Sequence, residues 1–202
     1  PSPSNTQLEV MLASEEGKKA WEVYANGYTL CINQCEKEGT RVKCMKYKMK
    51  NTAELSAFVS GIRPAFGSLI NHFLNRKPYT TGVPQLDEVL KDSYSYMLYQ
   101  ESIMAYLNWL GINMKETYDI VKKISKKVFM KHPEQMEALK NQCRPQWLSK
   151  VGSMEGFEET WKVMNDAGSY AFNSADAYCV GNDGVEIAYT KAHYPYETYE
   201  VC

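Results

Sequence analysis

The clearest hydrophobic pattern in the chain lies between residues 115 and 131. Apolar residues recur there at spacings of three and four, the period of one buried helix face: Tyr118, Val121, Ile124 and Val128. Lysines fill much of the polar face, where Lys122 and Lys126 stand one helical turn apart, as do Lys123 and Lys127. The pattern predicts an amphipathic basic helix over 115–131, ended by His132-Pro133.

Similar patterns predict helices along most of the chain. Asn51 offers an N-cap with Glu54 at the capping-box position, and this helix should end at about Gly61–Ile62 because Pro64 follows. Further helices are expected at 8–24 with an interruption near Gly17, at 66–76, at 89–110, at 134–143 before Pro145, and at 155–164. A turn is expected at Asn182-Asp183-Gly184.

One stretch leaves its secondary structure open. Residues 41–50 alternate only in part, and they fit either a short strand or a basic helix. The rest of the chain lacks the alternating strand–helix rhythm of a Rossmann-type fold. The predicted fold class is therefore mainly α, a multi-helix domain with at most a short strand or hairpin.

Composition places the chain among globular proteins. Its 202 residues are 44% hydrophobic and 23% charged, which suits one sizeable domain or two small ones. We expect no membrane span, because no apolar run approaches about 18 residues, and no secretory leader. The chain starts at Pro1 and not at Met, which indicates an excised or processed piece. Its six cysteines are expected to be free thiols in a reducing cytoplasm.

Charge is distributed unevenly along the chain. The net charge of −1 argues by itself against a nucleic-acid-binding protein. Residues 115–150, however, hold nine basic and four acidic side chains, and residues 36–50 hold six and two. Residues 151–202 hold two basic and nine acidic side chains. Since a polyanion senses charge within a Debye length of about 8–10 Å, the basic blocks matter more than the total.

No reaction centre is evident from the motifs. The three histidines lie outside any nucleophile motif, and the chain has neither a phosphate-binding glycine loop nor an Asp-x-Asp pair to hold metal ions. We therefore assign no catalytic residue and no metal ligand. The lysines of 115–131 fit two interpretations, a solvated charged face or a phosphate-binding face, and their spacing does not separate them.

Several segments, taken in order, resemble the C-family DNA polymerases, the bacterial and phage enzymes of the DNA polymerase III alpha subunit type. The resemblance covers roughly residues 25–202 and rests on six segments: NGYTLCINQCEKEGTRVKCM (26–45), ELSAFVSGIRPAF (54–66), LDEVLKDSYSYMLYQESIM (86–104), YDIVKKISKK (118–127), YAFN (170–173) and AYTKAHYPYETY (188–199). In the family these motifs belong to the fingers and the adjoining edge of the palm. The resemblance thus implies a palm-edge junction at 1–50 and a helical fingers region at 51–202, forming one structural unit.

The resemblance also implies roles for individual residues. Fingers grip the triphosphate of the incoming deoxynucleoside triphosphate, which makes four basic residues the candidates for contact with triphosphate or DNA phosphate: Lys122, Lys126, Lys127 and, less directly, Arg63. Secondary candidates in the other matching motifs are Gln100, Glu101, Asn173 and Lys191, of which the first two are expected to shape the site. The implied partners are primer–template DNA, the nucleotide and the palm of the same polymerase, in the cytoplasm.

The family's catalytic aspartates lie upstream in the palm, outside this chain. We therefore expect Mg²⁺ in the parent enzyme but not in this fragment, and we expect the fragment alone to be inactive. Two positions depart from the family pattern: Asp176 stands where a His is usual, and the turn expected at 181–184 replaces a continuing helix. Two other interpretations stay open, a non-catalytic nucleic-acid-binding or interaction module descended from such a polymerase, and a plain structural helical domain.

Overall fold

The chain folds into α-helices in a computed structural model that describes residues 4–63, 66–171 and 173–201. No β-strand occurs within these ranges, so the mainly α fold class is confirmed. The helices in chain order are α1 (Asn5–Ala13), α2 (Glu15–Ala25), α3 (Glu38–Tyr47), α4 (Thr52–Gly61), α5 (Leu69–Leu74), α6 (Pro84–Val89), α7 (Gln100–Trp109), α8 (Met114–Ser125), α9 (Val128–Lys131), α10 (Pro133–Val151), α11 (Phe157–Gly168), α12 (Ser174–His193) and α13 (Pro195–Val201).

These helices group into two compact units. The first unit contains the described parts of residues 1–62, 70–76 and 175–202, and the second contains those of 63–69 and 77–174. The division into 1–50 and 51–202 within one structural unit was drawn from the roles of motifs and not from contacts, and it stays a prediction.

Helix α12 supplies the first unit with a stripe of small buried residues: Ala177, Gly181, Gly184, Val185 and Ala188. A Cβ atom at Gly184 would lie 3.0 Å from the hydroxyl oxygen of Tyr24, which is itself fully buried. The helix backbone therefore approaches the core about as closely as glycine permits. The turn predicted at 182–184 is wrong, because tight packing of a continuous helix outweighs the local turn preference of Asn, Asp and Gly.

The end of α3 carries a second packing centre of the first unit. The ring of Tyr47 stacks on Phe58 and Phe73, with centroids 5.5 and 5.1 Å away. The guanidinium of Arg76 lies 4.2 Å from the Tyr47 ring centroid and donates to the carbonyl oxygen of Tyr47 at 2.9 Å. Because Glu38–Tyr47 is helical, the open choice for residues 41–50 is resolved as a basic helix and not a strand.

Arg76 also forms an ion pair with Glu54 of α4. Its two terminal nitrogens donate to the two carboxylate oxygens at 2.7 and 2.8 Å, and this bidentate contact lowers the pKa of Glu54. The N-cap predicted at Asn51 is confirmed, since its side-chain oxygen accepts the Glu54 backbone N–H at 2.8 Å. The helix ends at Gly61 with Ile62 as its C-cap, which confirms the predicted end at Gly61–Ile62, and Pro64 lies outside the described residues.

The break between the first two helices falls at Ser14 and not near Gly17. The Ser14 hydroxyl oxygen accepts the Gly17 backbone N–H at 3.1 Å and so caps α2. Gly17 has a different function: a Cβ there would lie 2.1 Å from the carbonyl oxygen of Met11. The glycine thus permits the close approach of α1 and α2 instead of ending a helix.

The second unit is built around aromatic side chains from α7, α10 and α11. Trp147 meets Phe157 edge to face with centroids 5.6 Å apart, and Phe157 packs against Trp161 at 5.5 Å. The buried Tyr106 hydroxyl is hydrogen-bonded to the Thr160 hydroxyl at 3.0 Å. The helix predicted at 155–164 is confirmed as α11, whose buried face includes Phe157, Trp161 and Met164.

Two predicted boundaries in the second unit are wrong. Helix α10 continues through Pro145 because Leu139, Cys143 and Trp147, spaced four apart, are buried on both sides of it. The helix predicted at 89–110 is interrupted, because Tyr94 adopts a left-handed conformation with φ of 56° after a short 3-10 turn at Lys91–Ser93. Helix α7 begins only at Gln100.

The described cysteines are free thiols: Cys31, Cys35, Cys44, Cys143 and Cys179. A contact with Cys35 and burial raise the pKa of the Cys44 thiol far above its ordinary value. Cys202 lies outside the described residues. Across the part of the chain that the structure describes, no helix combines the length and apolar character that crossing a bilayer requires.

Candidate functional site

Helix α8 presents the basic face predicted from the sequence. Its buried stripe consists of Thr117, Val121 and Ile124, and this spacing leaves the lysines on the opposite side in solvent. Asn113 caps the helix by accepting the Lys115 backbone N–H at 2.9 Å. The lysines near the end of α8 also lie at the negative end of the helix dipole, which favours cations.

The predicted continuous helix 115–131 is wrong, because α8 ends at Ser125. Lys126 is the C-cap, and its backbone N–H still donates to the Lys122 carbonyl at 2.9 Å, one turn back. Lys127 takes a left-handed conformation with φ of 57° and separates α8 from α9. This turn brings Phe129 into the core and leaves Val128 half-buried, so burial of the larger side chain accounts for the break.

The three principal lysine candidates carry solvent-exposed ammonium groups. Lys122, Lys126 and Lys127 are exposed, and none forms an ion pair with any described residue. The ammonium of Lys122 lies 4.3 Å from the ring centroid of Tyr118 in the same helix. Their charges are therefore not neutralised by neighbouring carboxylates and are available to an anion.

Some other lysines of the chain differ in this respect. Lys18, Lys91 and Lys162 are also exposed, but each is paired with a carboxylate one helical turn away, at 2.5, 2.6 and 2.9 Å. Lys140 is paired with Glu158 at 2.6 Å. Lys46 and Lys77 are also exposed and form no ion pair with a described residue, so the feature specific to the end of α8 is the clustering of its unpaired lysines within residues 122–127.

A second group of candidates meets on the backbone of residues 170–174. Arg63 donates from Nη1 to the carbonyl oxygen of Tyr170 at 3.1 Å, and Gln100 donates from Nε2 to that of Ala171 at 3.3 Å. The carboxylate of Glu101 accepts the backbone N–H of Ser174 at 3.0 Å. Side chains from two motifs that are far apart in sequence thus hold one short segment of a third.

Arg63 differs from the lysines because it is partly buried. Burial lowers its pKa from the ordinary value, but a guanidinium remains charged at neutral pH. Its contact with Tyr170 is with backbone and therefore supports the local structure. The half-buried Asn173 lies between the two anchored positions Ala171 and Ser174, while Phe172 of the same motif lies outside the described residues.

Asp176 stands in the first turn of α12 and is exposed. A carboxylate in this position interacts favourably with the positive end of the helix dipole. The departure from the family's usual His is thus compatible with a helix-stabilising role. The continuity of α12 removes the second departure, since no turn occurs at 181–184.

Lys191 belongs to the first unit, whereas the other candidates belong to the second. Its side chain is buried, and its ammonium donates to the carbonyl oxygens of Tyr28 and Leu30, both at 2.7 Å. The same ammonium lies 4.6 Å from the Tyr199 ring centroid. These contacts describe an internal anchor that holds the loop after α2 to α12.

The sequence did not indicate the backbone groups that Arg63, Gln100 and Glu101 contact. These are the carbonyl groups of Tyr170 and Ala171 and the N–H of Ser174. Backbone partners leave no signal in periodicity, and the family motifs name side chains and not the backbone groups that they contact. Within the described ranges, no group of three or more His, Cys, Asp or Glu side chains is placed to hold a metal ion.

Comparison with known proteins gives one consistent result. A family model described as the bacterial DNA polymerase III alpha subunit finger domain matches residues 4–146. The DNA polymerase III subunit alpha of Aquifex aeolicus is 26% identical over 190 residues, which cover 91% of this chain and 16% of that protein. The same subunit of Caulobacter vibrioides is 28% identical over 184 residues, covering 89% and 16%.

A third relative extends this agreement. The DNA polymerase III subunit alpha of Bacillus subtilis is 26% identical over 196 residues, covering 95% of this chain and 17% of that protein. The chain therefore spans about one sixth of the length of the curated relatives it matches.

Proposed function

The chain belongs to the finger-domain family of the bacterial DNA polymerase III alpha subunit, and we propose that it serves as the fingers region of a template-directed replicative DNA polymerase. In this role it binds phosphates of the incoming deoxynucleoside triphosphate and of the primer–template. The parent reaction is nucleotidyl transfer in the cytoplasm, with the palm of the same polymerase as the adjoining partner. The observation that carries the proposal is the set of open lysines on α8 and α9.

The lysines have the chemistry that phosphate binding requires. Lys122, Lys126 and Lys127 are exposed and have no carboxylate partner among the described residues. An ammonium on a flexible stem can follow a phosphate as a mobile point charge. Each phosphate neutralised in this way releases counterions, so that binding weakens as salt increases. The surface thus supplies charge stabilisation and positioning.

Magnesium belongs to the parent enzyme in this proposal. Because the described residues offer no cluster of metal-ligating side chains, we derive no metal-dependent step from this chain. The expected result is that purified chain, mixed with primed template, Mg²⁺ and all four nucleotides, gives no primer extension. Primer extension on a sequencing gel would contradict the proposal that the catalytic groups lie in the palm and not in this chain.

The binding surface can be tested by titrating fluorescently labelled primer–template DNA with the chain at several salt concentrations. The variant Lys122→Ala/Lys126→Ala/Lys127→Ala should bind more weakly. Its plot of log affinity against log salt should be less steep by up to about 2.7, since each contact with duplex phosphate contributes about 0.9.

The matched control is Lys18→Ala/Lys91→Ala/Lys162→Ala. It removes the same number of exposed lysines, but these lysines are already paired with carboxylates. The control should leave the salt slope unchanged. Equal changes in both variants would show that net charge alone matters, and absence of binding by the wild-type chain at low salt would favour a plain structural domain.

A further inference from the structure

The segment between α11 and α12 depends on other parts of the chain for its backbone hydrogen bonds. Its carbonyl groups at Tyr170 and Ala171 and the first N–H of α12 at Ser174 are bonded to side chains from Arg63, Gln100 and Glu101. We propose that Glu101 is a positioning residue, which together with these two neighbours fixes the backbone around Asn173 for contact with bound DNA. This inference rests on the proposed function.

Of the three side chains, Glu101 makes the hydrogen bond expected to hold the segment most strongly. The first N–H groups of any α-helix lack partners within the helix, and they lie at the positive end of its dipole. The carboxylate of Glu101 meets the Ser174 N–H at the start of the twenty-residue α12, so this hydrogen bond is charge-assisted. The bonds from Gln100 and Arg63 reach carbonyl groups three and four residues earlier.

The position of the carboxylate also removes the Ser174 N–H from the groups of the segment that can bind a ligand. The first N–H of α12 already donates to the carboxylate of Glu101 and is therefore not available to a ligand. Asn173 is neutral and lies directly before Ser174. A side-chain amide can donate to a phosphate oxygen, and its usefulness depends on how firmly the backbone on either side is held.

The test compares Glu101→Ala with Glu101→Gln, whose amide oxygen can still accept the Ser174 N–H. Glu159→Ala is the control, since Glu159 is also exposed in the same unit and its side chain forms no hydrogen bond or ion pair with any described residue. The first measurement is hydrogen–deuterium exchange of peptides covering 169–176, without DNA. The second is affinity for labelled primer–template, alone and in an Asn173→Ala background.

Glu101→Ala should raise exchange in this peptide and weaken binding by about three- to tenfold, the range expected for loss of one hydrogen bond. Glu101→Gln should restore part of both, and Glu159→Ala should change neither. In the Asn173→Ala background the substitution of Glu101 should have little further effect on affinity, since the two residues act through one contact.

Three results would overturn the inference. Unchanged exchange in Glu101→Ala would show that the carboxylate does not hold the segment. Increased exchange with unchanged affinity would reduce its role to local structure, while the proposed function would stand on the lysine variants. If the wild-type chain binds no primer–template, the proposed function fails. The exchange data are recorded without DNA, so they still report separately on whether Glu101 holds the backbone of residues 169–176.

Discussion

The two glycines inside α12 give a direct test of its continuity. Gly181 and Gly184 lie on the same buried face of the helix, yet their surroundings differ. A Cβ at Gly181 would meet Leu55 side-chain carbons at 3.5 and 3.7 Å, which is ordinary van der Waals contact. A Cβ at Gly184 would lie 3.0 Å from the Tyr24 hydroxyl oxygen and 3.3 Å from Cγ2 of Ile32. The same substitution should therefore have opposite effects.

The magnitudes follow from these distances. Replacing glycine by alanine inside a helix contributes about 1 kcal/mol through helix propensity, and Gly181→Ala should gain this amount. Gly184→Ala should lose more than it gains, because overpacking a filled core costs about 1–3 kcal/mol and both Tyr24 and Ile32 are fully buried. The two variants should thus differ by about 2 kcal/mol, or by about 4–8 °C in Tm for a chain of this size.

Urea unfolding followed by circular dichroism at 222 nm measures the difference, with thermal melts as a second reading. Gly181→Ala should be more stable than wild type and Gly184→Ala less stable. If both variants lost stability equally, glycine would be required at both positions, as in a turn with positive φ, and the continuous helix would be wrong. If both gained stability, the close approach of α12 to Tyr24 would be wrong.

Three further substitutions test other contacts. Pro145→Ala should raise the free energy of unfolding by at least about 1 kcal/mol, because the exposed proline lacks a helix hydrogen bond; lower stability in urea titration would contradict this. Glu54→Gln should lower it by about 1 kcal/mol at pH 7, where the carboxylate is paired with Arg76. Because this pairing lowers the pKa of Glu54, the ion pair stabilises the folded state at pH values above the unfolded pKa of about 4.3, and this stabilisation is lost as pH falls through the lower folded pKa. Urea titrations should therefore show a difference between variant and wild type at pH 7 that disappears at pH 3. A difference that stayed constant with pH would exclude the ion pair as its cause. Lys191→Met should cost about 2 kcal/mol, since two backbone carbonyls lose their donor, and should leave the salt slope of DNA binding unchanged; a reduced slope would assign Lys191 to phosphate.

Sequence patterns predicted the helical character of the chain better than its helix ends. The spacing of apolar residues located α11, and the capping residue located the start of α4, because both signals are local. Pro145 and the Gly181–Gly184 segment were misjudged for a common reason. In both places, buried residues on either side of a residue that usually interrupts helices keep the helix intact, and such long-range packing is not visible in a short window of sequence.

The candidate site was predictable to a similar extent. The motifs identified the lysines of α8 and α9, but periodicity extended their helix through Lys127, whose left-handed conformation depends on where Phe129 is buried. The family resemblance pointed to Gln100 and Glu101 without indicating their backbone partners. Lys191 shares a motif with residues of the family, yet only its burial and its two carbonyl acceptors indicate an anchor.

The first unit is discontinuous in sequence, and this has a consequence for synthesis on the ribosome. Its described residues come from both ends of the chain, and the second unit is encoded between them. The residues of the second unit have all been synthesised once Ser174 has been added. Tyr24 and Ile32, in contrast, meet Gly184 only after α12 has been translated. Nascent chains that end before α12 therefore carry an uncovered apolar surface, a state that favours chaperone binding and aggregation until α12 has been translated.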